Sequence, residues 1–117
     1  MTHQTPPSPV PAGADPARQV AQLREALRLV ERIAGLPEAG SAEARLDEGA
    51  RLSAAYARAL PVAQRRFEAL VAETAGWAAA GVEALLATGN GAPPRAAAMR
   101  LAGALERALG EMGASLR

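Results

Sequence analysis

The chain has 117 residues, which is the length of one domain, and its formal net charge is +1. Arginines and acids alternate along it without a basic or acidic block, so charge alone indicates neither a nucleic-acid partner nor a membrane surface. It contains no cysteine, which excludes disulfides and thiolate metal sites and fits a reducing compartment. No secretory signal is visible, and the sequence predicts a cytoplasmic protein.

The composition predicts a thin core. Alanine supplies 31 residues, whereas Leu, Val, Ile, Met, Phe, Trp and Tyr together supply 27. Each buried large side chain contributes roughly 1.5–3 kcal/mol. Ordering about 100 residues costs on the order of 100–200 kcal/mol. We therefore expect a homo-oligomer or a complex with another protein, as yet unidentified.

Residues 1–14 are rich in proline and poor in apolar side chains, which predicts a disordered tail. A single helical domain is expected over 15–117. Its first helix, 16–35, follows a capping Asp15 and carries two adjacent apolar seams. The first seam consists of Val20, Leu23, Leu27, Val30 and Ala34.

The second predicted helix, 41–60, begins at the capping residue Ser41. Its spacing predicts inward positions at Leu46, Ala50, Ser53, Tyr56 or Ala57, and Leu60. Small residues make this helix thin, so a neighbour can approach it closely. Pro61 disfavours an α conformation at Leu60 and predicts a corner or kink there.

The third helix is predicted over 61–88 and is the longest element. A glycine-rich turn, 89–91, ends it. Small residues flank its tryptophan and leave room for a crossing helix. Its apolar stripe consists of Phe67, Leu70, Thr74, Trp77, Gly81 and Leu85.

A fourth helix, 93–115, opens at two prolines and carries a stripe from Ala98 to Leu116. No segment alternates with the period of a strand. The sequence thus predicts an all-α fold behind the Pro-rich tail. The four helices are expected to form an antiparallel bundle or a set of helical hairpins, and the protein is expected to be an oligomer.

Catalysis is not expected. His3 is the only histidine and lies in the predicted tail, so acid–base pairs and histidine metal sites lack their central residue. No phosphate loop, cofactor site or metal site is indicated. Two acids, Glu73 and Glu83, interrupt the most apolar stretch, which argues against a membrane span.

Arginines are the remaining candidates for binding a ligand. Arg24, Arg28 and Arg32 recur every four residues on one edge of the first helix, a pattern that can track phosphates. Arg65 and Arg66 lie near the start of the third helix, where cations oppose the helix dipole. A carboxylate of another chain or a polyanion would stabilise them there. Interleaved acids favour an ordinary solvated face over a nucleic-acid site.

The sequence matches no family by its motifs. Its organisation favours a non-catalytic interaction or assembly protein that self-associates through Ala- and Gly-rich helix faces. One alternative is a nucleic-acid-associated oligomer such as a phage-like small terminase subunit for DNA packaging, with weak binding expected. A second is an amphipathic coat on a surface or granule. The residues expected in the core or interface are Leu23, Leu27, Val30, Phe67, Leu70, Trp77, Gly81 and Leu85.

Overall fold

A computed structural model describes residues 16–37, 40–87 and 95–117, and these residues form four helices and no strand. The helices make up 89% of the described residues, which confirms the all-α prediction. The predicted tail and Asp15, and the predicted glycine and proline turn before the last helix, lie outside the described residues. The helices are α1 (Pro16–Ala34), α2 (Ala42–Arg58), α3 (Pro61–Leu86) and α4 (Arg95–Ser115).

Hydrogen bonds mark the end of α1 and the predicted start of α2 at Ser41. Gly35 takes a φ of 74° and donates its N–H to the Arg32 carbonyl at 3.1 Å. Leu36 donates to the Glu31 carbonyl at 2.9 Å, so two carbonyls of the last turn are satisfied. Ser41 is the N-cap of α2, and its Oγ accepts a hydrogen bond from the Ala44 N–H at 3.1 Å.

The corner between α2 and α3 falls at Ala59 and Leu60, both of which have extended backbone. Pro61 occupies the first turn of α3, where its missing N–H costs nothing. The Gln64 side chain donates from Nε2 to the Tyr56 backbone carbonyl at 2.7 Å, and this hydrogen bond connects the start of α3 to the end of α2. The predicted corner is confirmed, although α2 ends at Arg58 rather than at Leu60.

Helix α1 is central, because it contacts each of the other three helices. All five members of its predicted first seam, from Val20 to Ala34, are buried. Helices α3 and α4 also contact each other. Their buried side chains and the seam of α1 form one core, which also includes Leu116 just after α4. The core residues of α3 and α4 are Phe67, Val71, Ala78, Leu85, Ala98, Ala102, Leu105, Leu109 and Met112.

Helix α2 is peripheral, and the inward positions predicted for it are wrong at Leu46, Ala50 and Leu60, whereas Ser53 and Tyr56 are half-buried. Leu46 is 74% exposed and Leu60 is 71% exposed. Instead, α2 turns Glu48 and Gly49 toward α1, where Glu48 meets Arg24 and Gly49 lies near Ala17. The bidentate Arg24–Glu48 ion pair and the close approach of Gly49 to Ala17 mark the side of α2 that meets α1. None of the described side chains of α2 is fully buried.

Candidate interaction surfaces

Two arginines of the predicted phosphate stripe are engaged by carboxylates of the same chain. Arg24 donates from Nε to Glu48 Oε1 at 2.9 Å and from Nη2 to Glu48 Oε2 at 2.5 Å, a bidentate bond that joins α1 to α2. Arg28 donates to Glu25 Oε2 at 3.2 Å within α1. Both guanidinium groups are half-buried, so a phosphate would have to compete with existing carboxylate partners.

A polar cleft of about 300 Å³ surrounds these two arginines between the start of α2 and the later half of α1. It contains carboxylates as well as guanidinium groups, including the buried Glu31 and the exposed Glu106. Mixed charges of this kind stabilise each other across the cleft and do not create a strongly positive field. The charged side chains of the cleft therefore connect α1 to α2, and the cleft offers an anionic ligand little net attraction.

The remaining candidate arginines lie on the surface. Arg32 is exposed in the last turn of α1, where its charge is favourable for the helix dipole. Arg65 and Arg66 are exposed in the first turns of α3, where the positive end of the helix dipole is unfavourable for a cation. Neither Arg65 nor Arg66 has an ion-pair partner among residues 16–37, 40–87 and 95–117.

Helix α3 meets the other helices along one side only. Its predicted stripe contains three buried residues, Phe67, Thr74 and Leu85, whereas Leu70 and Trp77 are half-buried. A Cβ atom at Gly81 would lie 2.9 Å from Leu101 Cδ2, so α4 crosses α3 closely at this glycine. This crossing is the small-residue contact that the sequence predicts beside the tryptophan.

Tyr56 and Glu68 connect the end of α2 to α3 beside the buried Phe67 ring. The Tyr56 hydroxyl donates a hydrogen bond to Glu68 Oε2, and the Tyr56 and Phe67 ring centroids are 5.7 Å apart. This hydrogen bond raises the pKa of Tyr56 above its usual 10.0, and burial and the negative charge of Glu68 raise it further. No sequence pattern predicts this pair, because Tyr56 and Glu68 are 12 residues apart and belong to helices on opposite sides of the corner at Leu60.

An open apolar groove of about 530 Å³ runs between α1 and α3. Leu23 and Ala26 form one wall, and Val71, Val82 and Leu86 lie on the other. A second groove of about 560 Å³ lies between α1 and α2 and includes the exposed Leu46. Together the two grooves show that the apolar surface of α1 is only partly covered by its neighbours.

The outer face of α3 is left uncovered by the other helices. By length and apolar composition α3 is the one helix in the described residues that could cross a membrane, yet only 22% of its most apolar 18-residue window is buried. Val62 and Leu86, near its two ends, are 58% and 61% exposed. Gly76 lies on this face with no side chain within 4 Å of an added Cβ.

No protein-family model, curated protein or solved structure matches the chain. Within the described residues, no group of three or more His, Asp or Glu side chains is placed to hold a metal ion. The candidate surfaces of the chain are the polar cleft, the two apolar grooves and the uncovered face of α3.

Proposed function

We propose that this chain is a non-catalytic helical assembly protein that self-associates through the outer face of α3. In this proposal the four helices form an antiparallel bundle, with α1 at its centre and α2 at its edge. The observation that carries the proposal is the burial of α3, because the most apolar helix keeps only 22% of its apolar window inside the chain. In water such a surface favours association with another apolar surface.

Self-association fits this face better than a lipid bilayer does. Glu73 and Glu83 are both exposed on α3, and each carboxylate would cost several kcal/mol within a hydrocarbon core. A protein interface accommodates them at its rim or beside a cation. The small residues Ala69, Gly76 and Ala80, also exposed, let a second backbone approach closely.

The two alternative functions have less support. A DNA-packaging role needs free guanidinium groups, but Arg24 is bound by Glu48 and Arg28 by Glu25. Among the described residues, Arg65 and Arg66 form an exposed adjacent pair without a carboxylate partner. A coat on a surface or granule would use the same face of α3, which carries two acids and few large apolar side chains.

Sedimentation equilibrium at micromolar concentration tests the proposal. We expect a mass above the 12.0 kDa of one chain and a midpoint of thermal unfolding that rises with protein concentration. A stable monomer whose midpoint is independent of concentration would contradict it.

Matched variants locate the interface on α3. Gly76 and Gly110 are both exposed, and an added Cβ at either meets no side chain within 4 Å. Gly76→Phe should therefore leave the monomer folded but keep a second copy away from α3. Gly110→Phe places the same ring on α4 and should leave the mass unchanged. Equal masses for the two variants would place the interface elsewhere.

A further inference from the structure

We propose that two copies of this chain pair through α3 in one antiparallel register, with Arg66 of each copy opposite Glu83 of the other. This inference rests on the proposed self-association and adds to it the partner, the orientation and the register. It starts from a heptad stripe along the outer face of α3, in which every member is exposed. The stripe consists of Val62, Arg66, Ala69, Glu73, Gly76, Ala80, Glu83 and Ala87.

The stripe has the spacing of a helix–helix seam, and its middle is made of small residues. Its alternating steps of four and three keep one side of α3 facing a neighbour along the whole helix, a distance of about 39 Å. Ala69, Gly76 and Ala80 carry at most a methyl group, so the two backbones can approach closely there. Such an approach gives backbone and Cβ contacts to a face that has few large side chains.

Charge selects the antiparallel orientation. In a parallel pair each stripe residue would face its own copy, so Arg66, Glu73 and Glu83 would each meet a like charge. In the antiparallel pair with the longest overlap, Arg66 faces Glu83, Ala69 faces Ala80, and Glu73 faces Gly76. Two-fold symmetry repeats the Arg66–Glu83 pair at the other end.

Charge also selects the register. Sliding one helix by a heptad in one direction places Glu73 opposite Glu83, which is repulsive. Sliding it in the other direction leaves Glu83 without a facing residue in the stripe and shortens the overlap. Only the chosen register places an acidic residue opposite Arg66 in each of the two copies. Arg65 lies next to Arg66 on the same turn of α3.

The same register accounts for two features that the single chain leaves without a partner. Arg65 and Arg66 oppose the dipole at the start of α3, and the second copy would bring a carboxylate to that point. Val62, which is 58% exposed, would lie against Ala87 at the far end of the stripe of the second copy. Apolar side chains at opposite ends of one helix can meet only when the helices run antiparallel.

A charge exchange tests the pairing by sedimentation equilibrium at low salt. Glu83→Arg places like charges at both ends of the interface, and so does the variant Arg65→Glu with Arg66→Glu. Each should raise the dimer dissociation constant about tenfold or more. The triple variant, with all three charges reversed, restores attraction and should return the constant to within a few-fold of the original. Glu111→Arg makes the same charge change at an exposed position of α4 and is the control.

Cysteine crosslinking tests the register directly, because the natural chain has no cysteine. An oxidised mixture of Ala69→Cys and Ala80→Cys proteins should form the mixed disulfide dimer, and neither protein alone should crosslink efficiently. A dimer of Ala69→Cys alone would show parallel helices and overturn the proposal. A wild-type oligomer whose mass is unaffected by Glu83→Arg would overturn this register but leave self-association standing, whereas a wild-type monomer would remove both.

Discussion

Replacing Gly81 with alanine should be much less favourable than replacing Gly110 with alanine, although the chemical change is the same. Both glycines lie within helices, α3 and α4, where alanine is favoured over glycine by up to about 1 kcal/mol. At Gly110 an added Cβ meets no side chain within 4 Å. We therefore expect Gly110→Ala to raise the free energy of unfolding by about 0.5–1 kcal/mol.

At Gly81 the same methyl group would lie 2.9 Å from Leu101 Cδ2 and 3.0 Å from Leu101 Cδ1. Leu101 is half-buried, so its end must rotate or α4 must move outward. Overpacking of this kind costs about 1–3 kcal/mol. After the gain in helix propensity is subtracted, Gly81→Ala should range from nearly neutral to about 2 kcal/mol destabilising.

Urea unfolding of both variants, followed by circular dichroism at one fixed protein concentration, measures the difference. Leu101→Ala supplies the control, because it removes both Cδ atoms from the crossing. In that background Gly81→Ala should recover the benefit seen at Gly110, which a double-mutant cycle reports as coupling between the two positions. An equal gain in stability from Gly81→Ala and Gly110→Ala in the natural background would refute the close crossing of α3 and α4.

Two further outcomes test the core and its edge. Phe67→Ala removes a fully buried ring and should lower the free energy of unfolding, measured in denaturant, by about 3–5 kcal/mol. Trp77 is half-buried, so Trp77→Ala should lower it by less. The reverse order would place the indole at the centre of the core. Because the folded state raises the pKa of Tyr56, its contribution to stability is complete below pH 10.0 and is lost as pH rises through the folded pKa. Tyr56 is the only tyrosine, so phenolate absorbance should show its pKa fall in Glu68→Ala, and an unchanged midpoint would show that Glu68 does not hold the hydroxyl.

The sequence by itself determined the local structure. Spacing of apolar residues predicted the seam of α1, and Val20, Leu23 and Leu27 are buried as expected. Local chemistry also placed the boundary at Ser41 and the corner before Pro61. These features depend on backbone geometry and on residues within one or two turns, so no distant part of the chain is needed to specify them.

Only the tertiary structure decided which faces of the Ala-rich helices are covered. On α2, where a methyl group appears on every side, the bidentate bond between Arg24 and Glu48 helps to set the rotation, and Leu46 is left in solvent. On α3, the predicted stripe includes Gly81, but only the structure shows that Leu101 of α4 lies against it and that Gly76 is left open. Alanine and glycine provide too little difference in apolar area between faces to orient a helix. Contacts between residues far apart in the chain therefore choose the buried side, and with it the side left for a partner.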